Sequence, residues 1–90
     1  MSEETSNVTE LEPQLNAAKR HIQAGNMADA TAVLETLLTA DREHREALYY
    51  LAVCQRQQGL NKEAIDTLNA LTEAHPDYGR AHQEKAYNFI

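Results

Sequence analysis

Gln23-Ala24-Gly25-Asn26-Met27-Ala28-Asp29-Ala30 and Gln57-Gln58-Gly59-Leu60-Asn61-Lys62-Glu63-Ala64 are two copies of one plan, offset by 34 residues. In each copy a polar helix end meets a glycine, a few turn residues follow, and an acid and an alanine open the next helix. Glycine suits the stop because the residue after a helix end commonly adopts φ > 0, which only Gly reaches cheaply. Asn26 and Asn61 are placed to cap the second helix. Asp29 and Glu63 stand near its positive end. Ala30 and Ala64 fall where two helices of a hairpin cross most closely, so a larger side chain would push them apart. Leu34 and Leu37, like Leu68 and Leu71, follow at helical spacing on a buried face.

Working outward, the spacing predicts five helices, near 10–24, 28–40, 45–58, 62–74 and 78–90. Thr9 and Glu12 form a capping box ahead of the first. Pro13 is tolerable in its first turn. Pro76 closes the fourth helix, and Asp77 is placed to cap the fifth. Residues 1–8 read as a disordered tail and residues 9–90 as the folded domain. The fold class is all-α: an antiparallel helix-hairpin solenoid of two repeats, 11–44 and 45–78, plus one extra helix at 79–90.

Composition agrees. Hydrophobic residues make up 42% of the 90, enough for one small core. Three Gly and two Pro are too few for a turn-rich β fold. The net charge of -6 repels phosphate backbones and anionic membranes, which argues against nucleic acid and lipid as partners. Cys54 is the one cysteine, so no internal disulfide is available. The N-terminus is polar and acidic, unlike a secretory signal, so a cytoplasmic location is expected and the Asn7-Val8-Thr9 sequon is read as chance.

The 34-residue period, with Leu48, Leu51, Ala52, Gly59, Ala64, Leu68, Leu71 and Pro76 in the second copy, resembles the tetratricopeptide repeat family. In the first copy Gln14, Ala17, Ala18 and His21 occupy the corresponding first-helix core positions, and Arg42 stands where the proline would be. Ala81, His82, Ala86 and Phe89 match packing positions of a partial third copy. The resemblance implies a concave groove lined by the first helix of each pair, which holds a protein or peptide. Carried onto this chain, the groove positions are Glu12, Leu15, Asn16, Lys19 and Ile22 from helix one. Helix three supplies Glu46, Tyr49, Tyr50, Val53 and Arg56, and helix five supplies Arg80, Gln83, Glu84 and Tyr87. Tyr49, Tyr50, Tyr87 and Arg56 have the residue chemistry of binding hot spots. Adjacent Tyr49 and Tyr50 cannot both point the same way on a helix.

Some relatives grip a C-terminal carboxylate with a clamp of Lys and Asn. Here Leu15, Lys19, Tyr50 and Glu84 stand at the clamp positions, so such a tail clamp is not expected. A second, shorter resemblance runs from His75 to Glu84, similar to the N-terminal repeat arrays of bacterial sulfotransferases. It implies, as an alternative, a non-catalytic arm of a larger enzyme.

No catalytic, cofactor-binding or metal-ligating set emerges. His21 and His82 fall on inner helix positions, and His44 and His75 sit near helix ends where a cation suits the dipole. Cys54 has no adjacent base and reads as a structural thiol. The acids form no general acid–base pair, and the run from Asp41 to Glu46 reads as a solvated linker. Ala86, Phe89 and Ile90 offer apolar surface on the last helix, which a homodimer, a longer repeat array or tolerated exposure would explain.

Overall fold

The structure is a computed structural model that describes the backbone of residues 3–88 and the side chains of residues 11–87. Its five helices are α1 (Glu3–Gln23), α2 (Met27–Ala40), α3 (Arg45–Gln57), α4 (Asn61–Ala74) and α5 (Gly79–Asn88). Helices α1 and α2 form one antiparallel hairpin and α3 and α4 a second. Helix α2 also packs on α3, α4 on α5, and α3 touches both α1 and α5. The odd-numbered helices therefore share one side of the molecule.

The two glycine turns repeat bond for bond. Gly25 and Gly59 have φ of 84° and 80°. Asn26 N donates to His21 O and Leu60 N to Gln55 O, each at 2.8 Å, while Gly25 N and Gly59 N donate to Ile22 O and Arg56 O at 3.0 Å. This is a Schellman closure, made twice at the 34-residue shift. The turns between repeats recur as well. His44 N donates to Asp41 O at 3.2 Å, and Tyr78 N to His75 O at 3.1 Å. Arg42 thus occupies the turn position that Pro76 holds in the second copy.

Side-chain capping differs from expectation. Asn26 stands at the N-cap of α2 but makes no side-chain cap bond. Leu60, not Asn61, is the N-cap of α4, with no side-chain bond either. The Schellman turn hands its last residue directly to the next helix, so Ala30 N and Ala64 N bond the carbonyls of Asn26 and Leu60 instead. Asp77 does not flank α5; Tyr78 does, and its carbonyl accepts from Ala81 N at 3.1 Å. His44 is the N-cap of α3, its Nδ1 accepting from Ala47 N at 3.1 Å. An accepting nitrogen carries no proton, so His44 is a neutral cap at a positive helix end rather than a cation at a negative one. His75, the C-cap of α4, donates from Nε2 to the Glu43 carbonyl at 2.6 Å and ties the two inter-repeat turns together.

Two core clusters meet on α3. Leu15 and Ala18, with Ala30, Leu34 and Leu37, pack on Ala47, Leu51 and Cys54. Leu48 and Ala52 pack with Leu68, Leu71 and Ala81. Ala30 and Ala64 have no exposed surface, as close helix crossing demands. Leu34, Leu37, Leu68 and Leu71 are also fully buried, each contributing on the order of 2 kcal/mol.

Helix α1 departs from the sequence reading in two ways. It begins at Glu3, so helical backbone runs through most of the stretch expected as a tail. Acidic residues 3 and 4 suit a helix N-terminus. Thr9 then lies inside the helix rather than capping it, and Pro13 is an interior residue that forfeits one backbone bond. The buried register is also different. Leu15 and Ala18 are core, with Leu11 and Ile22 packed against them, whereas Gln14, Ala17 and His21 are only half-buried. Copying the second repeat's positions onto the first placed polar Gln14 inside; it is half-buried, with its Oε1 enclosed and without a hydrogen-bond partner, while the i, i+4, i+7, i+11 apolar stripe 11-15-18-22 supplies the core residues.

Candidate functional site

Helices α3 and α5 run side by side in step. Arg45 lies beside Tyr78, Tyr49 beside Arg80, and Arg56 beside Glu84 and Tyr87. This pairing brings all four tyrosines of the chain to the side formed by the odd-numbered helices. The Tyr49 ring meets Tyr50 edge-on at 5.1 Å and Tyr78 edge-on at 6.0 Å, between centroids. Adjacent tyrosines diverge from the helix axis, as their spacing requires, yet their rings turn back into contact.

Each tyrosine carries a cation. Lys19 Nζ lies 5.5 Å from the Tyr50 centroid. The guanidiniums of Arg45, Arg56 and Arg80 lie 4.8, 5.3 and 5.2 Å from Tyr78, Tyr87 and Tyr49. A chain of this length carries about one such contact on average, so four on one side are a concentration. Ion pairs join Arg56 with Glu84 and Lys62 with Asp66. Lys19, Arg45 and Arg80 lie over rings.

Arg80 is exposed, and the neighbouring Tyr78 hydroxyl, then that of Tyr50, pushes its pKa above the ordinary value. Burial pushes the Tyr49 hydroxyl up, against a smaller opposing pull from Arg80. Both groups therefore keep their neutral-pH charge states: Arg80 a cation, Tyr49 an O–H donor.

The residues expected in a groove divide into three sets. Tyr49, Tyr50, Lys19, Arg56 and Tyr87 are brought into the strip, and Val53 is half-buried beside them on α3. Asn16, Glu12 and Gln83 are exposed without joining these ring contacts, and Glu46 is half-buried. Leu15 and Glu84 are corrections. Leu15 is a core residue at 6% exposure, and Ile22 packs against the same cluster. Glu84 is 2% exposed, turned inward to Arg56, because a carboxylate beside a half-buried guanidinium is more stable paired than apart. Tyr78 and Arg45 were missed. Arg45 was hidden in the charged run read as linker. Tyr78 aligns with His44 at the 34-residue shift, and a tyrosine at a capping position was the available signal that its ring serves something else.

Other expected features fall elsewhere. Ala86 is exposed on α5, while Phe89 and Ile90, its expected companions in a self-association patch, lie outside the described residues. His82 is exposed, its Nε2 3.1 Å from the Pro76 carbonyl, rather than on an inner position. Cys54 is buried, which raises its thiol pKa, with the Thr31 hydroxyl opposing. Among the described residues no three His, Cys, Asp or Glu side chains converge as a metal set, and no helix is long and apolar enough to cross a membrane. A cleft of about 880 Å³ lies between α2 and α4 and is lined by Asp41, Arg42, Glu43 and Glu73 among others. It is away from the tyrosines, open and mixed in sign, and offers no aromatic anchor.

Comparison with known families gives one match: a family model described as tetratricopeptide repeat covers residues 21–86, more than two thirds of the chain. No curated protein and no solved structure matches it.

Proposed function

Because the chain belongs to the tetratricopeptide repeat family, whose members are in general non-catalytic protein-interaction modules, we propose that the side formed by α1, α3 and α5 binds a segment of a partner protein, with the tyrosine–cation strip as its anchor. The observation that carries this reading is the strip itself. Tyrosine and arginine are the residues most enriched in binding hot spots, and rings held edge-to-face with cations over them are pre-ordered, so less side-chain entropy is lost on binding. Tyr87 is 48% exposed and Arg80 is exposed as well, which leaves contact area available. The short similarity of residues 75–84 to sulfotransferase repeat arms has no second observation behind it, and the interaction reading stands without it.

The test is a peptide-display selection against the chain, followed by amide chemical-shift mapping of the best binders. Shifts are expected on α1, α3 and α5. Tyr49→Ser with Tyr87→Ser is expected to weaken those binders at least tenfold while helicity by circular dichroism stays unchanged. Binders that map to the α2–α4 cleft, or that ignore the double substitution, overturn the assignment.

A further inference from the structure

We propose that the strip takes an extended acidic segment, a run of Asp or Glu side chains in a partner protein, with one carboxylate anchored on Arg80. This rests on the reading of the strip as a peptide-binding surface and adds the chemistry of the occupant. The argument begins with charge. The chain has a net charge of -6 and eight Lys and Arg residues. Four of those eight lie over tyrosine rings on one side: Lys19, Arg45, Arg56 and Arg80. An acidic protein has thus gathered half of its cations at one place. Arg56 is committed to Glu84 and serves the fold. Lys19, Arg45 and Arg80 are the cations left facing rings.

A guanidinium lying over a ring uses its flat face, and its in-plane N–H groups still point outward to accept a carboxylate in two-pronged fashion. The ring lowers hydration of the cation without neutralising it, so the charge stays available. At Arg80 the guanidinium lies 5.2 Å from the Tyr49 centroid, and the Tyr50 and Tyr78 rings meet Tyr49 edge-on. Each tyrosine hydroxyl carries an O–H able to donate to an oxygen of a ligand. The centre of the strip is therefore rich in donors, which a carboxylate satisfies and a neutral or cationic side chain does not.

The dimensions fit an extended chain. Lys19, Tyr50, Tyr49 and Arg80 are linked by steps of 5.5, 5.1 and 5.2 Å. The two cations are therefore no more than about 16 Å apart, a span that an extended segment covers in about five residues, with alternate side chains about 7 Å apart on the facing side. The α2–α4 cleft mixes Arg42 with Asp41, Glu43 and Glu73, so it offers no such concentration of cations. The net negative charge that repels a nucleic-acid backbone acts over its whole length, whereas a short acidic segment meets only the local cations.

The experiment titrates the chain with three hexapeptides, hexa-glutamate, hexa-glutamine and hexa-lysine, and with hexathymidylate. The readouts are the NMR signals of the tyrosine rings and the Arg80 Nε–H. The expected result is that hexa-glutamate alone moves the Tyr49, Tyr50, Tyr78 and Arg80 signals. Its affinity is expected to fall at least tenfold in Arg80→Gln and several-fold between 50 and 500 mM NaCl. Arg80 is exposed, so Arg80→Gln is expected to retain the fold, checked by circular dichroism. Equal binding of hexa-glutamine at the strip overturns the acidic preference and leaves the peptide-surface reading standing. Tighter binding of hexathymidylate overturns it in favour of single-stranded nucleic acid. No shift at the strip from hexa-glutamate at millimolar concentration also overturns it, and perturbation by every peptide on α2 and α4 instead overturns both readings.

Discussion

Replacing Arg42 with proline is expected to stabilise the protein. Proline restricts the residue before it to extended backbone. His75, which precedes Pro76, has φ -137° and ψ 73°. Asp41, which precedes Arg42, already has φ -140° and ψ 93°. The bonds of the Asp41 turn are Asp41 N to Leu37 O, His44 N to Asp41 O, and Glu43 N to Asp41 Oδ1. None of these uses the Arg42 N–H, the donor that proline lacks. Arg42 is exposed, so no packing is lost. The gain then comes from the unfolded chain, which has fewer conformations to surrender: about 0.4–1 kcal/mol. For a domain of this size that corresponds to a rise in Tm of roughly 2–8 °C. Thermal unfolding followed by circular dichroism measures it, with a urea midpoint shift at unchanged slope as the cross-check. The converse change, Pro76→Arg, is expected to lose a similar amount. A Tm for Arg42→Pro at or below that of the parent refutes the claim that the two turns are equivalent.

Gly59→Ala is expected to cost about 1–2 kcal/mol, because Gly59 has φ 80° with nothing within 4 Å of the added Cβ, so backbone strain is the whole effect. Gly79→Ala, where φ is not positive and space is also open, is expected to stabilise by up to about 1 kcal/mol; urea midpoints moving in the same direction for both would contradict the distinction. Arg56→Ala removes the guanidinium paired with the buried Glu84 carboxylate, and because the Arg56 side chain is 30% exposed the loss is expected at about 2–3 kcal/mol, near the low end for a buried pair. The double change Arg56→Met with Glu84→Leu is expected to recover most of it, and a single-variant loss below about 0.5 kcal/mol in denaturant melts would show that the pair contributes nothing. Burial raises the Cys54 thiol above its ordinary value of 9.0, so folded protein retains a proton that unfolded protein releases. Stability is therefore fully present below about pH 9 and lost as pH rises toward the higher folded pKa. Cys54→Ala is expected to flatten that alkaline decline in urea midpoints, and an undiminished decline would remove Cys54 as its source.

The hairpins were legible because the residues that specify them act locally. Gly25 and Gly59 need nothing but their own backbone to end a helix, and Ala30 and Ala64 signal a close crossing by size alone. The register of α1 was not legible by alignment, since the 34-residue shift says which positions correspond but not which of them the first repeat fills with apolar groups. The apolar spacing of Leu11, Leu15, Ala18 and Ile22 held that information. Among the groove positions, Tyr49, Tyr50, Lys19, Arg56 and Tyr87 were carried over from the resemblance to the repeat family, and the structure brings them together on one side. Tyr78 and Arg45 did not, because their contact depends on the turn before α5 lying against the start of α3, a relation across about thirty residues that no local pattern encodes. The inward turn of Glu84 was hidden for the same reason: a carboxylate on a helix face reads as solvated until its cation is placed.

Because both kinds of turn recur at one fixed offset, chain length behaves as an adjustable quantity in this architecture. A duplicate of residues 45–78 spliced between Tyr78 and Gly79 would enter through the same turn that now leads into α3 and leave through the same turn that now leads into α5. Each insertion would carry its own Tyr49–Tyr50 edge-on pair, so the aromatic surface would grow by whole increments. Unfolding cooperativity would grow with it, since every unit rests only on its neighbours. A molecule of this kind is a ruler whose graduations are set by its two turns.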